Sequence, residues 1–107
     1  MNIIFKQWNC RVIVSKYLKG GFPAIYLVDA NNGEQIAKAT VNLIDYGIEP
    51  EPNHCYLKDY SENQGIVEVL AGAGVVIPIQ QIRFGTHNAT ATLCKLSPQL
   101  IEELEEL

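Results

Sequence analysis

The 107-residue chain is short of positive charge, of metal ligands and of long apolar runs. Eight Lys and Arg stand against twelve Asp and Glu, a formal net charge of -4. Binding a nucleic-acid duplex needs clustered cations, so no DNA or RNA duplex is expected as a partner. No stretch approaches the ~20 apolar residues of a membrane span, and the opening MNIIFKQWNC has neither the basic flank nor the apolar run of a secretory leader. The expectation is a cytoplasmic protein with no membrane partner. Three cysteines, Cys10, Cys55 and Cys94, cannot all pair within one chain and none sits in a C-x-x-C spacing. They read as reduced, small buried apolar groups.

Histidine is equally scarce. His54 adjoins Cys55, and neighbours on a strand face opposite ways, so the two cannot share a metal. His87 and Cys94 could meet across a hairpin, but two ligands do not close a zinc site. Neither metal nor cofactor is expected. GAGVV follows a helix pattern instead of opening one, so its glycines read as a helix stop, not as a phosphate loop. No nucleophile lies beside a recognisable base, and the chain is expected not to be an enzyme.

What is present describes one domain, residues 1–107, with 48% apolar and 19% charged residues. The predicted fold class is α+β: an antiparallel β-sheet with one helix after the central strands and a short C-terminal helix. Residues 2–8 and 11–18 read as strands broken at Asn9-Cys10, and Ala24–Asp29 as a third strand that ends at a turn through Asn32-Gly33. Ala37, Ala39, Val41 and Leu43 alternate with Lys38, Thr40 and Asn42, the period of a strand with one buried face. DYGIEPEPN is a loop, and HCYLKD a short strand. Ser61 and Gln64 have the spacing of a capping box, which predicts a helix start there. Pro78 marks VVIPIQQIRF as an edge or bulged strand, GTHN is a turn, and ATATLCKL is the last strand. Ser97-Pro98 then opens a helix with Leu100, Ile101, Leu104 and Leu107 on one face and glutamates on the other.

One cluster is suited to holding a ligand: Arg83, Phe84, Thr86, His87, Asn88, Thr90 and Thr92, all within one turn and its flanks. An aromatic ring stacks a base, a guanidinium meets a phosphate, and Asn reads a base edge. On composition alone the same residues describe a polar hairpin tip around one core phenylalanine. Lys58 and Tyr60, beside the helix start, have the same two readings.

AIYLVDANNGEQIAKATVNL and CYLKDYSENQGIVEVLAGAGVV, spanning roughly Ala24 to Val76, resemble a family of small phage and mobile-element proteins. In that family an LxDxxxGEPxATxTVNL hairpin precedes a KDYSENEG helix start. The C-terminal third departs from it, with VIPIQQIRFGTHNATATL where the family has a PTG turn. The family is similar to the Thoeris anti-defence sponge proteins. That likeness implies a non-enzymatic, phage-encoded homo-oligomer in the host cytoplasm that sequesters cyclic nucleotide immune signals: cyclic ADP-ribose isomers and, in some members, cyclic oligonucleotides. It implies sites at subunit interfaces built from an aromatic stacker, arginines and an asparagine. Phe84, Arg83 and Asn88 fill those roles by residue type and location, with His87, Thr90, Lys58 and Tyr60 around the ligand. The alternative is a protein-binding inhibitor of a bacterial defence complex, anti-CRISPR-like, acting through a sheet edge or the acidic helix.

Overall fold

Alternation of inward and outward residues shapes a first sheet. In the computed structural model, which describes residues 1–107, strands β1 (Asn2–Phe5), β2 (Trp8–Lys16), β3 (Pro23–Asp29) and β4 (Gln35–Lys38) form an antiparallel meander in chain order. Ile3, Phe5, Cys10, Val12, Val14, Ile25 and Leu27 are the larger of the buried side chains it sends into the core. The β1–β2 turn falls at Lys6-Gln7, with Lys6 at φ 55°, and not at Asn9-Cys10. Cys10 is buried opposite Ile3 while Asn9 faces water, so that polar pair marks a strand face and not a bend. The β3–β4 turn is where it was expected: the Asp29 carboxylate accepts the Asn31 N–H at 2.7 Å, and Gly33 takes a positive φ of 76°.

Strand β4 ends sooner than its alternation predicts. It stops at Lys38, and the chain then steps from the first sheet to the second. Ala39 donates its N–H to the Ile25 carbonyl at 2.9 Å, whereas Val41 donates to Tyr56, also at 2.9 Å. Thr40 and Leu57 form an antiparallel bridge. Thr40, expected on the wet face with Lys38 and Asn42, is 1% exposed. Its Oγ1 accepts the Ile25 N–H at 3.1 Å and shares a hydrogen bond with the Tyr17 hydroxyl at 2.8 Å.

The second sheet joins β5 (His54–Leu57), β6 (Val76–Phe84) and β7 (Ala89–Leu96) in the antiparallel order β5-β7-β6. Pro78 meets both of its sequence expectations, because β6 is an edge strand and its register shifts between Pro78 and Gln80. Helices α1 (Ile66–Gly72) and α2 (Pro98–Glu105) complete the α+β fold that the sequence predicts. Helix α1 packs on β1 and β6, and α2 on β2 and β7, so Ile66, Leu70, Leu100 and Leu104 join both sheets in one core. The start of α2 is as predicted: Ser97 Oγ accepts the Leu100 N–H at 3.2 Å, with Pro98 at the first helical position. The other face of the second sheet carries a smaller cluster in which Leu43, Val41 and Ile48 cover Tyr56, Ala91, Ile82 and Phe84.

KDYSENQG starts a helix, but by a different device from a Ser61–Gln64 capping box. Ser61 has φ 54° in a single 3-10 turn, Ser61–Asn63, and α1 begins only after Gly65 at φ 92°. Asp59 supplies the cap from six residues upstream of Gly65: one carboxylate oxygen accepts the Gly65 N–H at 2.8 Å and the other the Val67 N–H at 2.9 Å. Asn63, 1% exposed, ties this start to the first sheet by donating to the Lys38 carbonyl at 2.7 Å. Asp59→Ala should therefore cost about 2 kcal/mol, the upper end for a lost cap, because both bonds are charge-assisted. The thermal midpoint should fall by roughly 10 °C while Ser61→Ala leaves it nearly unchanged. Equal midpoints for the two variants would show that Asp59 does not cap the helix.

Candidate functional site

The β6–β7 hairpin fixes where the sequence-predicted residues point. Arg83 pairs with Thr90 and Phe84 with Ala89, and successive strand residues face opposite ways. Phe84 and Ile82 therefore lie on the side covered by the 41–48 loop, while Arg83, Thr90, Gln81 and Thr92 lie on the side of α1. The ring and the guanidinium expected to act together are on opposite faces of one subunit. Phe84 is half-buried and Arg83 exposed.

Phe84 has an aromatic neighbour that the sequence reading left out. Its ring meets that of Tyr46 edge-on, with centroids 5.2 Å apart and planes at 67°. Tyr46 ends a 3-10 turn, Ile44–Tyr46, at the start of the DYGIEPEPN loop, and is 55% exposed. The two rings, with Gly85, Thr86, His87 and Ala89, line a cavity of about 250 Å³ at the hairpin tip. Gly85 has φ 72°, a left-handed conformation that glycine adopts freely, while a Cβ there would make only ordinary contact with the Tyr46 ring at 3.4 Å. The signal for Tyr46 was legible: Leu43, Ile44, Tyr46 and Ile48 are too apolar a set for a loop that only meets water.

The structure thus brings together Phe84, Thr86 and His87 and adds Tyr46. Arg83 and Thr90 form a cross-strand pair on the opposite face. Asn88 is exposed and holds the last turn position at φ 55°, a conformation Asn tolerates better than most residues. Lys58 leaves β5 just past Leu57, which pairs with Thr92, and so lies at the end of the sheet that carries the hairpin. It sits 4.0 Å from Glu62 in a helix-spaced ion pair. Tyr60 is 41% exposed, outside the cavity lining.

All three thiols are buried. Burial pushes Cys94 up to about 12, and raises Cys55 further still with help from the adjacent Cys94. Burial raises Cys10 as well, against a smaller opposing effect of a backbone hydrogen bond from Phe5. At neutral pH these groups are protonated and out of reach, which fits their reading as small apolar groups. No set of three or more His, Cys, Asp and Glu residues is placed to hold a metal ion, and no helix is long and apolar enough to cross a membrane.

Comparison with family models, with curated proteins and with solved structures finds no match. The residues that carry the resemblance described above have structural tasks here: Asp59 caps α1, Asn63 braces β4, and Gly65 supplies a left-handed backbone.

Proposed function

We propose that the protein binds a cyclic nucleotide at the β6–β7 hairpin tip and releases it unchanged, sequestering the signal without altering its bonds. The observation that carries this reading is the Tyr46–Phe84 pair, two rings at 5.2 Å walling a cavity that also offers His87 and the turn backbone. A nucleobase stacks on such a ring whatever its sequence identity, and the imidazole and turn N–H groups suit an anionic or polar remainder. The resemblance to anti-defence sponge proteins supports the same ligand class.

A cavity of about 250 Å³ is small for a nucleotide, whose sites usually exceed roughly 300 Å³. The proposal therefore includes a homo-oligomer in which Arg83, turned away from its own Phe84, serves the site of a neighbouring copy. Cyclic ADP-ribose is the first probe. After incubation, removal of free ligand and heat denaturation, intact probe should be recovered; degraded probe would mean an enzyme, and none would mean no binding. Tyr46→Ala should weaken binding by ~1–3 kcal/mol, the usual worth of a stacked base. Because Tyr46 is 55% exposed, its loss should leave stability nearly intact, separating this effect from unfolding. Unchanged affinity in that variant would sink the site. Mixing Arg83→Ala and Phe84→Ala proteins should restore part of the binding that each has lost, since mixed assemblies rebuild some complete sites.

A further inference from the structure

A second surface runs along the outer edge of β6 and ends at the hairpin tip. Strand β6 has β7 on one side and nothing on the other, and no backbone group from Val76 to Phe84 bonds to a turn or loop. Proteins usually protect such an edge with charge. Here Arg83 is the one charged residue in the nine-residue strand, and Ile77 and Ile79 are 56% and 51% exposed. Beyond the irregularity at Pro78–Gln80 the strand runs regularly to Phe84, leaving a stretch on which another strand can pair.

A groove of about 520 Å³ lies alongside this edge, walled by α1 and floored by β6 and by Thr92 of β7. Val67 and Ala71, one helical turn apart, and Ile79 give it an apolar strip. Asp59 and Glu68 add two carboxylates, and no lining residue is cationic. The closest cations by position are otherwise placed: Lys58 is beside Glu62, and Arg83 lies past Gln81 toward the hairpin tip. An open strand edge next to a helix-walled groove is the geometry in which extended peptides add as an extra strand, with alternate side chains entering the groove.

We propose that the α1–β6 groove docks an extended basic segment of a partner protein, paired to the β6 edge, with an apolar side chain between Val67, Ala71 and Ile79 and a flanking Lys or Arg against Glu68 and Asp59. This goes beyond nucleotide binding and does not depend on it.

The test uses a blocked heptapeptide, Thr-Arg-Thr-Val-Thr-Arg-Thr, its counterpart with glutamate for arginine, and a copy of the first that is N-methylated at alternate backbone positions on its pairing edge. The basic peptide should bind at least tenfold more tightly than the acidic one, with amide shifts confined to Asp59, Val67–Ala71 and Ile79–Phe84. Glu68→Arg, a change at an exposed helix position, should reverse the preference, and N-methylation should abolish binding. Tyr46→Ala should leave peptide binding unchanged. Equal affinity for both charged peptides, full binding of the N-methylated copy, or shifts centred on the α2 glutamates would each overturn the proposal.

Discussion

Raising the pH from 8 to 11 is expected to remove of the order of 5 kcal/mol of stability, a large share of the ~5–15 kcal/mol usual for a folded domain. The cause is the buried thiols and one partly buried phenol. Cys94 is pushed from 9.0 up to about 12 by burial, Cys55 is raised more, and Tyr17 is raised from 10.0 to about 12, chiefly by burial and against the opposing Thr40 hydrogen bond. In the unfolded chain the thiols lose their protons near 9, whereas in the fold they keep them. The unfolded state then binds fewer protons than the native state, so stability is complete below pH 9 and falls as pH climbs through the gap toward 12. Urea titrations followed by circular dichroism at several pH values would measure the slope. Cys94→Ala should be less stable at pH 7 because of the cavity it leaves, yet lose about half as much further stability on going to pH 11. A flat profile to pH 11 would show that these thiols are not shut away from water.

This alkaline sensitivity follows from features that the sequence shows only in part. Local codes were readable where neighbours in the chain set the geometry: Ser97-Pro98 opening α2, Asn32-Gly33 at the β3–β4 turn, Pro78 at an irregular edge. Each depends on a hydrogen bond or a φ angle settled within a few residues. The misread positions answer to distant partners. Asp59 caps α1 across a 3-10 turn, where the Ser61–Gln64 spacing pointed to a nearer pair. Strand β4 stops at Lys38 because the next residues pair with β5, a choice made by tertiary contacts that the alternation Ala37–Leu43 does not encode.

The candidate site divides along the same line. Phe84 and His87 are three positions apart across a tight turn, and that local geometry places both on one cavity. Arg83 is nearer still in sequence, but strand alternation sends it to the opposite face, a consequence available from the strand assignment itself. Tyr46 is 38 positions before Phe84 (84 - 46) and reaches it only because the 41–48 loop folds over the second sheet.

Thr40→Val should destabilise the fold by about 3 kcal/mol, although it exchanges a hydroxyl for a methyl of nearly the same size. The wild-type hydroxyl stands in for a strand at the seam between the two sheets. On the β4 side of β3, the Ile25 carbonyl accepts the Ala39 N–H, while the Ile25 N–H is met by Thr40 Oγ1 at 3.1 Å instead of by a backbone carbonyl. The same oxygen meets the Tyr17 hydroxyl at 2.8 Å. Valine keeps the shape and removes both partners. Ile25 is fully buried, so its N–H is left without water, and a stranded buried group costs about 1–3 kcal/mol. The Tyr17 hydroxyl, only partly buried, recovers some of its loss from solvent. Thr40→Ser retains the oxygen and should lose no more than about 1 kcal/mol, the worth of one buried methyl. Hydrogen exchange should show the Ile25 amide losing protection by more than the global change in Thr40→Val and by no more than it in Thr40→Ser. If valine and serine prove equally mild, the hydroxyl is not what holds the sheets together, and the Thr40–Leu57 bridge and apolar packing must suffice.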